Sequence, residues 1–201
     1  MNVVGLIQER PLEAASVLFS VLYLVLAIRE SLWCWPAAFL SSVLTLAVVL
    51  DVRLYSEVVL NVYYAAMAVY GWYQWHYGGR RRGAAALPIS TWPLKMHALA
   101  IGGSLALSAV VGWLMSTHTQ AAFPYLDGFL AVSSVVTTYL VARKILENWL
   151  YWLVIDSLWL YVYWQRALYL LVALTALYLV LVVIGLARWH RDWRAQIAVP
   201  A

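Results

Sequence analysis

The chain has 201 residues, 65% of them hydrophobic and 11% charged, with a net charge of +4 and a mean hydropathy of +0.80. A soluble domain of this size needs a polar exterior, so the composition excludes one and marks a polytopic, all-α membrane protein. Topogenic arginines account for the positive balance without nucleic acid, and Cys34 is the only cysteine, which excludes an intrachain disulfide.

Met1 to Pro11 lacks the basic segment that opens a signal peptide, so the first apolar run is expected to stay as a span. Apolar runs between short polar breaks predict seven spans, at about 14–28, 35–50, 56–75, 96–116, 127–142, 149–164 and 168–187. Several of them are short for a bilayer core, and flanking aromatics or buried neighbours must compensate. Pro36 stands where the second helix starts, a position that tolerates a missing N–H. Gly78 to Gly83, with Arg80, Arg81 and Arg82 at its centre, is the clearest hydrophilic linker.

Seven spans put the termini on opposite sides. One side then carries Arg10, Arg53 and Arg166. The other carries Arg29, Arg80, Arg81, Arg82, Lys95, Arg143, Lys144, Arg188, Arg191 and Arg194. The positive-inside rule places the second set, and the C-terminus, in the cytoplasm.

The sequence also repeats. An ungapped shift of 114 residues aligns Arg29 with Arg143, Trp35 with Trp149, Tyr64 with Tyr178 and Gly71 with Gly185. The same shift aligns Leu54-Tyr55 with Leu168-Tyr169 and Trp75-His76 with Trp189-His190. Within one transmembrane domain over 1–201, this predicts a three-helix repeat at 14–77, a linker helix at 96–116 and a second repeat at 125–190. An odd linker restores the orientation of the second copy, so the repeats are expected to be parallel.

Asp156 is the strongest single signal for chemistry. A carboxylate at mid-depth is expensive, so it faces a ligand, a pathway or an inter-helix partner such as its repeat equivalent Ser42. At about 100° per residue, Trp149, Trp152 and Asp156 lie within about 60° of one another. Aromatic belts also gather tryptophans near helix ends. Sharing a face with a carboxylate instead favours an inward role, two indoles and an anion for a flat cationic ligand. On the third span Asn61 and Tyr64 share a face that Ala68, Trp72 and Trp75 continue. Asn61 suits an amide or a sugar hydroxyl, or else inter-helix bonding. Asp127 opens the fifth span, where a carboxylate complements the helix dipole. Ser133, Ser134, Thr137 and Thr138 then give that helix a small polar face, for close packing or a cavity wall.

The chain has no GxxxxGK[ST], HExxH or GxSxG motif, so no phosphate loop, metal hydrolase or serine hydrolase is indicated. No cofactor and no catalytic residue is expected.

The run Arg143-Lys144-Ile145-Leu146-Glu147-Asn148-Trp149-Leu150-Tyr151-Trp152 resembles the signature of the nicotinamide riboside transporter (PnuC) family, whose sixth helix carries N-W-x-x-W. Asn61-Val62-Tyr63-Tyr64 is similar to its N-x-x-Y, and Phe123-Pro124-Tyr125-Leu126-Asp127 resembles the family as well. The resemblance covers about residues 14 to 193. It implies a seven-helix, 3+1+3 fold similar to the SWEETs, assembled as a homotrimer in the inner membrane. It also implies facilitated diffusion of a vitamin precursor, made unidirectional by intracellular phosphorylation. By position it assigns substrate binding to Trp149, Trp152, Asn61 and Tyr64. Asp156 departs from the asparagine common at its position in the family. A carboxylate suits a flat cation, nicotinamide riboside first and thiamine second, and disfavours neutral riboflavin. An intramembrane enzyme and a binding subunit that needs an energising partner are the readings from other classes.

Overall fold

The computed structural model describes residues 11–51, 55–79, 86–119 and 123–198. Arg10, Arg53, Leu54 and the linker residues Arg80, Arg81, Arg82 and Gly83 lie outside them. The described residues form seven helices: α1 (Pro11–Ile28), α2 (Cys34–Asp51), α3 (Tyr55–Tyr77), α4 (Leu94–His118), α5 (Pro124–Ala142), α6 (Asn148–Gln165) and α7 (Tyr169–Ala198). Each expected span has its helix.

Four of the helices, α1, α4, α5 and α7, are long and apolar enough to cross a bilayer, and Cys34–Leu50 is a shorter apolar helix. The sequences of α3 and α6 are rich in tyrosine and tryptophan, side chains that combine an apolar body with a polar tip and lower the mean hydropathy. The largest difference from expectation is at α7, which runs past 187 to Ala198. Its last turns are polar and held from outside the span. Arg188 pairs with Asp192 at 3.8 Å, and the Gln196 side chain accepts a hydrogen bond from the Ile89 amide at 3.2 Å.

The chain divides into two compact units between Pro88 and Ile89. In the first, α2 packs against both α1 and α3, and Ser41 Oγ donates across to the Ser16 carbonyl at 2.9 Å. In the second, α4 packs against α5, α5 against α6, and α6 against α7. The contact between α4 and α5 uses small residues, which let backbones approach closely. Ser104, Ser108 and Gly112 are the buried stripe of α4. A Cβ added at Gly128 of α5 would stand 3.0 Å from the Gly112 nitrogen.

The turns that lead into α2 and α6 match. Glu30 and Lys144, 114 residues apart, are both left-handed, with φ of 53° and 52°. In each turn an amide reaches back five residues at 3.0 Å, Ser31 to the Leu26 carbonyl and Ile145 to the Leu140 carbonyl. This is the hydrogen bond that closes a helix end in a Schellman motif. The second turn is tied further. Ser90 bridges it, donating to the Lys144 carbonyl at 3.0 Å and accepting from the Leu146 amide at 2.8 Å.

Candidate functional site

The α6 helix carries the site, and its first turn is pinned from the segment before α4. Glu147 accepts a hydrogen bond from the Trp92 amide at 3.3 Å and lies 3.8 Å from His97 Nε2. The other ring nitrogen of His97 is 3.0 Å from the Tyr151 hydroxyl, and the two rings stack at 5.9 Å. A histidine, a carboxylate and a phenol thus fix the entry to α6. At the far end Arg166, the C-cap residue, lies 3.7 Å from Asp127 of α5 and 5.7 Å over the Phe123 ring. Asp127 therefore sits in the first turn of α5 and bridges to α6.

Trp149 is 1% exposed. Its benzo edge lies over Gly185 of α7, where an added Cβ would be 2.5 Å from the ring. Trp189 meets it edge to face at 5.3 Å and 86°. The first unit holds the same arrangement: Trp35 lies over Gly71 and meets Trp75 at 5.4 Å and 88°. Glycine is required in both places because the indole occupies the space of a side chain.

Trp152, one turn on, is half-buried and packs against the apolar cluster of Leu130, Ile155 and Val162. Asp156 follows at 8% exposure and makes no hydrogen bond or ion pair among the described residues. Its repeat counterpart is satisfied locally, Ser42 Oγ donating to the Ala38 carbonyl at 2.9 Å. Asn148, part of the N-W-x-x-W resemblance but given no role of its own by the sequence, is 0% exposed. Its Nδ2 donates to the Ile145 carbonyl at 2.6 Å, and its Oδ1 has no partner among the described residues. The signal was available, since Asn148 is the first residue of that motif.

In the first unit Asn61 is buried and Tyr64 is half-buried, its ring 5.7 Å from Tyr63. The face they were expected to share with Trp72 and Trp75 divides. Trp75 is buried against Trp35, whereas Trp72 is exposed and stacks on His76 at 5.2 Å. A cavity of about 300 Å³ opens among α4, α5 and α6, lined by Ser104, Phe129, Ser133, Tyr151, Val154 and Ile155 among others. It touches a different face of α6 from Trp152 and Asp156. Thr137 and Thr138 of α5 bond back to the carbonyls of Ser133 and Ser134 at 2.7 and 2.8 Å.

Comparisons with known proteins agree in pointing to transporters. A riboflavin/roseoflavin transporter, RibM, of Streptomyces davaonensis is 29% identical over 147 residues, 69% of this chain and 65% of that protein. The chain thus spans a little under two thirds of that relative's length. The nicotinamide riboside transporter PnuC of Escherichia coli is 24% identical over 198 residues, 87% of this chain and 82% of that protein. Among solved structures, that of the vitamin B3 transporter PnuC superposes with a TM-score of 0.74 at 21% identity, covering 96% of this chain and 87% of that one. The fold is therefore shared with that transporter. The model of the nicotinamide mononucleotide transporter family matches residues 10–191. The chain belongs to that family, whose members matched here are multi-pass membrane transporters and not enzymes.

Proposed function

We propose that this protein is an inner-membrane facilitator for a cationic aromatic vitamin precursor, nicotinamide riboside first and thiamine second. The supporting observation is Asp156, a buried carboxylate with no described partner, one turn beyond the half-buried ring of Trp152. A ring to stack on and an anion beside it are what a pyridinium or thiazolium needs. Trp149 forms the wall behind them. Asn61 and Tyr64 are polar contacts on the strength of the N-x-x-Y resemblance.

The wider proposal has seven spans in a 3+1+3 arrangement of parallel repeats, with the N-terminus outside and the C-terminus cytoplasmic. It includes a homotrimer, and uptake drawn inward by intracellular phosphorylation of the substrate. Riboflavin is the second reading, favoured by the relative whose name carries it. Purified protein titrated with nicotinamide riboside, thiamine and riboflavin tests the choice, with the 12 tryptophans as the fluorescence signal. Selective binding of the cations supports the proposal. Selective binding of riboflavin overturns it in favour of the second reading.

A further inference from the structure

The cavity among α4, α5 and α6 lies behind the face of α6 that carries Trp152 and Asp156, and the function proposed above leaves it unused. Its walls include Ser104 of α4, Ser133 of α5 and Ile155 of α6, the two serines leaving room that larger side chains would fill. Its open side is formed by Ile101, Leu150 and Val154, which are 49%, 47% and 55% exposed. In a multi-pass membrane protein such apolar side chains meet hydrocarbon and not water.

One end of the cavity is charged. Ser90 pairs with the turn at Lys144, so the start of α4 and the end of α5 lie level. Lys95, exposed in the first turn of α4, and Arg143, the C-cap residue of α5, therefore stand at the same end. Phe129, Ser133, Val136 and Arg143 fall within about 80° on α5, so Arg143 continues the cavity wall. The acidic residues between Ile89 and Tyr151 are Asp127 and Glu147. Asp127 is at the opposite end, beside Arg166. Glu147 is engaged by the Trp92 amide and lies near His97. With Lys144 counted, the balance at this end is positive. From Phe129 to Arg143 the helix rises about 21 Å, the depth of one leaflet with its headgroup region.

We infer that this cavity is a lateral binding site for one anionic phospholipid, its acyl chain against Ser104, Ser133 and Ile155 and its phosphate at Lys95 and Arg143. The apolar walls select a hydrocarbon chain, and the two cations select an anionic headgroup over a zwitterionic one. A second copy of this chain is the poorer occupant, because it brings the same surplus of positive charge to the same depth. The site depends on the membrane fold and not on which ligand the protein carries. Ile155 belongs both to the cavity wall and to the apolar cluster under Trp152. The bound chain therefore backs the packing on which that ring rests.

The test is native mass spectrometry of the full chain, delipidated and titrated with phosphatidylglycerol and with phosphatidylcholine of identical acyl chains. Wild type is expected to take up one phosphatidylglycerol per chain, in preference to phosphatidylcholine by about tenfold or more, since each cation near the headgroup is worth about fivefold. Lys95→Gln should reduce that preference about fivefold, and Lys95→Gln with Arg143→Gln should bring it close to one. Val154→Trp, which fills the cavity from its exposed side, should abolish the tight uptake. Leu107→Trp, on the opposite and equally exposed face of α4, should leave it intact. Equal uptake of the two lipids by wild type overturns the inference. So does unchanged phosphatidylglycerol uptake in Val154→Trp, which would place the lipid elsewhere on the surface. Loss of an oligomer in Val154→Trp with lipid uptake unchanged overturns it in favour of a second copy. Should Val154→Trp fail to fold, Ile101→Trp fills the cavity from α4, and unchanged uptake there overturns the inference equally.

Discussion

The indole of Trp149 occupies the space that a side chain at position 185 would fill, so Gly185 is glycine because Trp149 is tryptophan. Gly71 and Trp35 stand in the same relation in the first unit. Overpacking a filled core costs about 1–3 kcal/mol. Gly185→Ala and Gly71→Ala should each lower the melting temperature of the detergent-solubilised protein. Gly102 of α4 has nothing within 4 Å of an added Cβ. Its replacement by alanine should be neutral or slightly stabilising, since glycine is the poorer helix former by about 1 kcal/mol. Equal melting temperatures for all three variants would show that the locks contribute nothing.

The pinning of α6 gives a second prediction. Tyr151→Phe removes one hydrogen bond to His97 and keeps the stacked ring, at a cost of about 1 kcal/mol. His97→Ala removes the bond, the stacking and one of the two contacts of Glu147 together, so it should lower the melting temperature further. Differential scanning fluorimetry on the two variants decides it. A larger loss in Tyr151→Phe than in His97→Ala would contradict this ordering of contacts.

Much of this was legible in the sequence because hydrophobic runs and breaks mark helices in a membrane directly. Pro124 stands at the start of α5 where a proline is tolerated, and Asp156 was conspicuous because a carboxylate in an apolar run has few cheap explanations. The end of α7 was missed. Its last turns are polar, so no apolar run marks them, and the bond from the Ile89 amide to Gln196 joins residues far apart in the chain. Asn148 was missed for another reason. An asparagine at a helix start ordinarily reads as a cap, whereas Asn148 lies inside α6 after the N-cap Glu147, and its buried Oδ1 has no partner among the described residues. The division of the Trp72 and Trp75 face was equally hidden, because Trp75 turns toward Trp35 of another helix.

The absence of a phosphate loop from the sequence gives a third prediction, about energetics. In proteoliposomes the protein should equilibrate nicotinamide riboside across the bilayer and stop at equal concentrations. Adding a phosphorylating enzyme and its nucleotide inside should convert equilibration into net accumulation. Accumulation driven by an imposed proton or sodium gradient alone would contradict facilitated diffusion and direct attention to Asp156.

The central claim is that Asp156 compensates the charge of a ligand stacked on Trp152, and the affinity of Asp156→Asn tests it most directly. A carboxylate beside a cation in a partly wet site contributes about 1–3 kcal/mol, or roughly tenfold to a hundredfold in affinity. The account predicts that Asp156→Asn binds nicotinamide riboside weaker by that factor, with its melting temperature equal to or above that of wild type. Removing a buried charge that has no partner among the described residues should not destabilise the fold. Undiminished affinity for the cation, with a lowered melting temperature, would contradict it and make Asp156 a structural residue of the helix bundle.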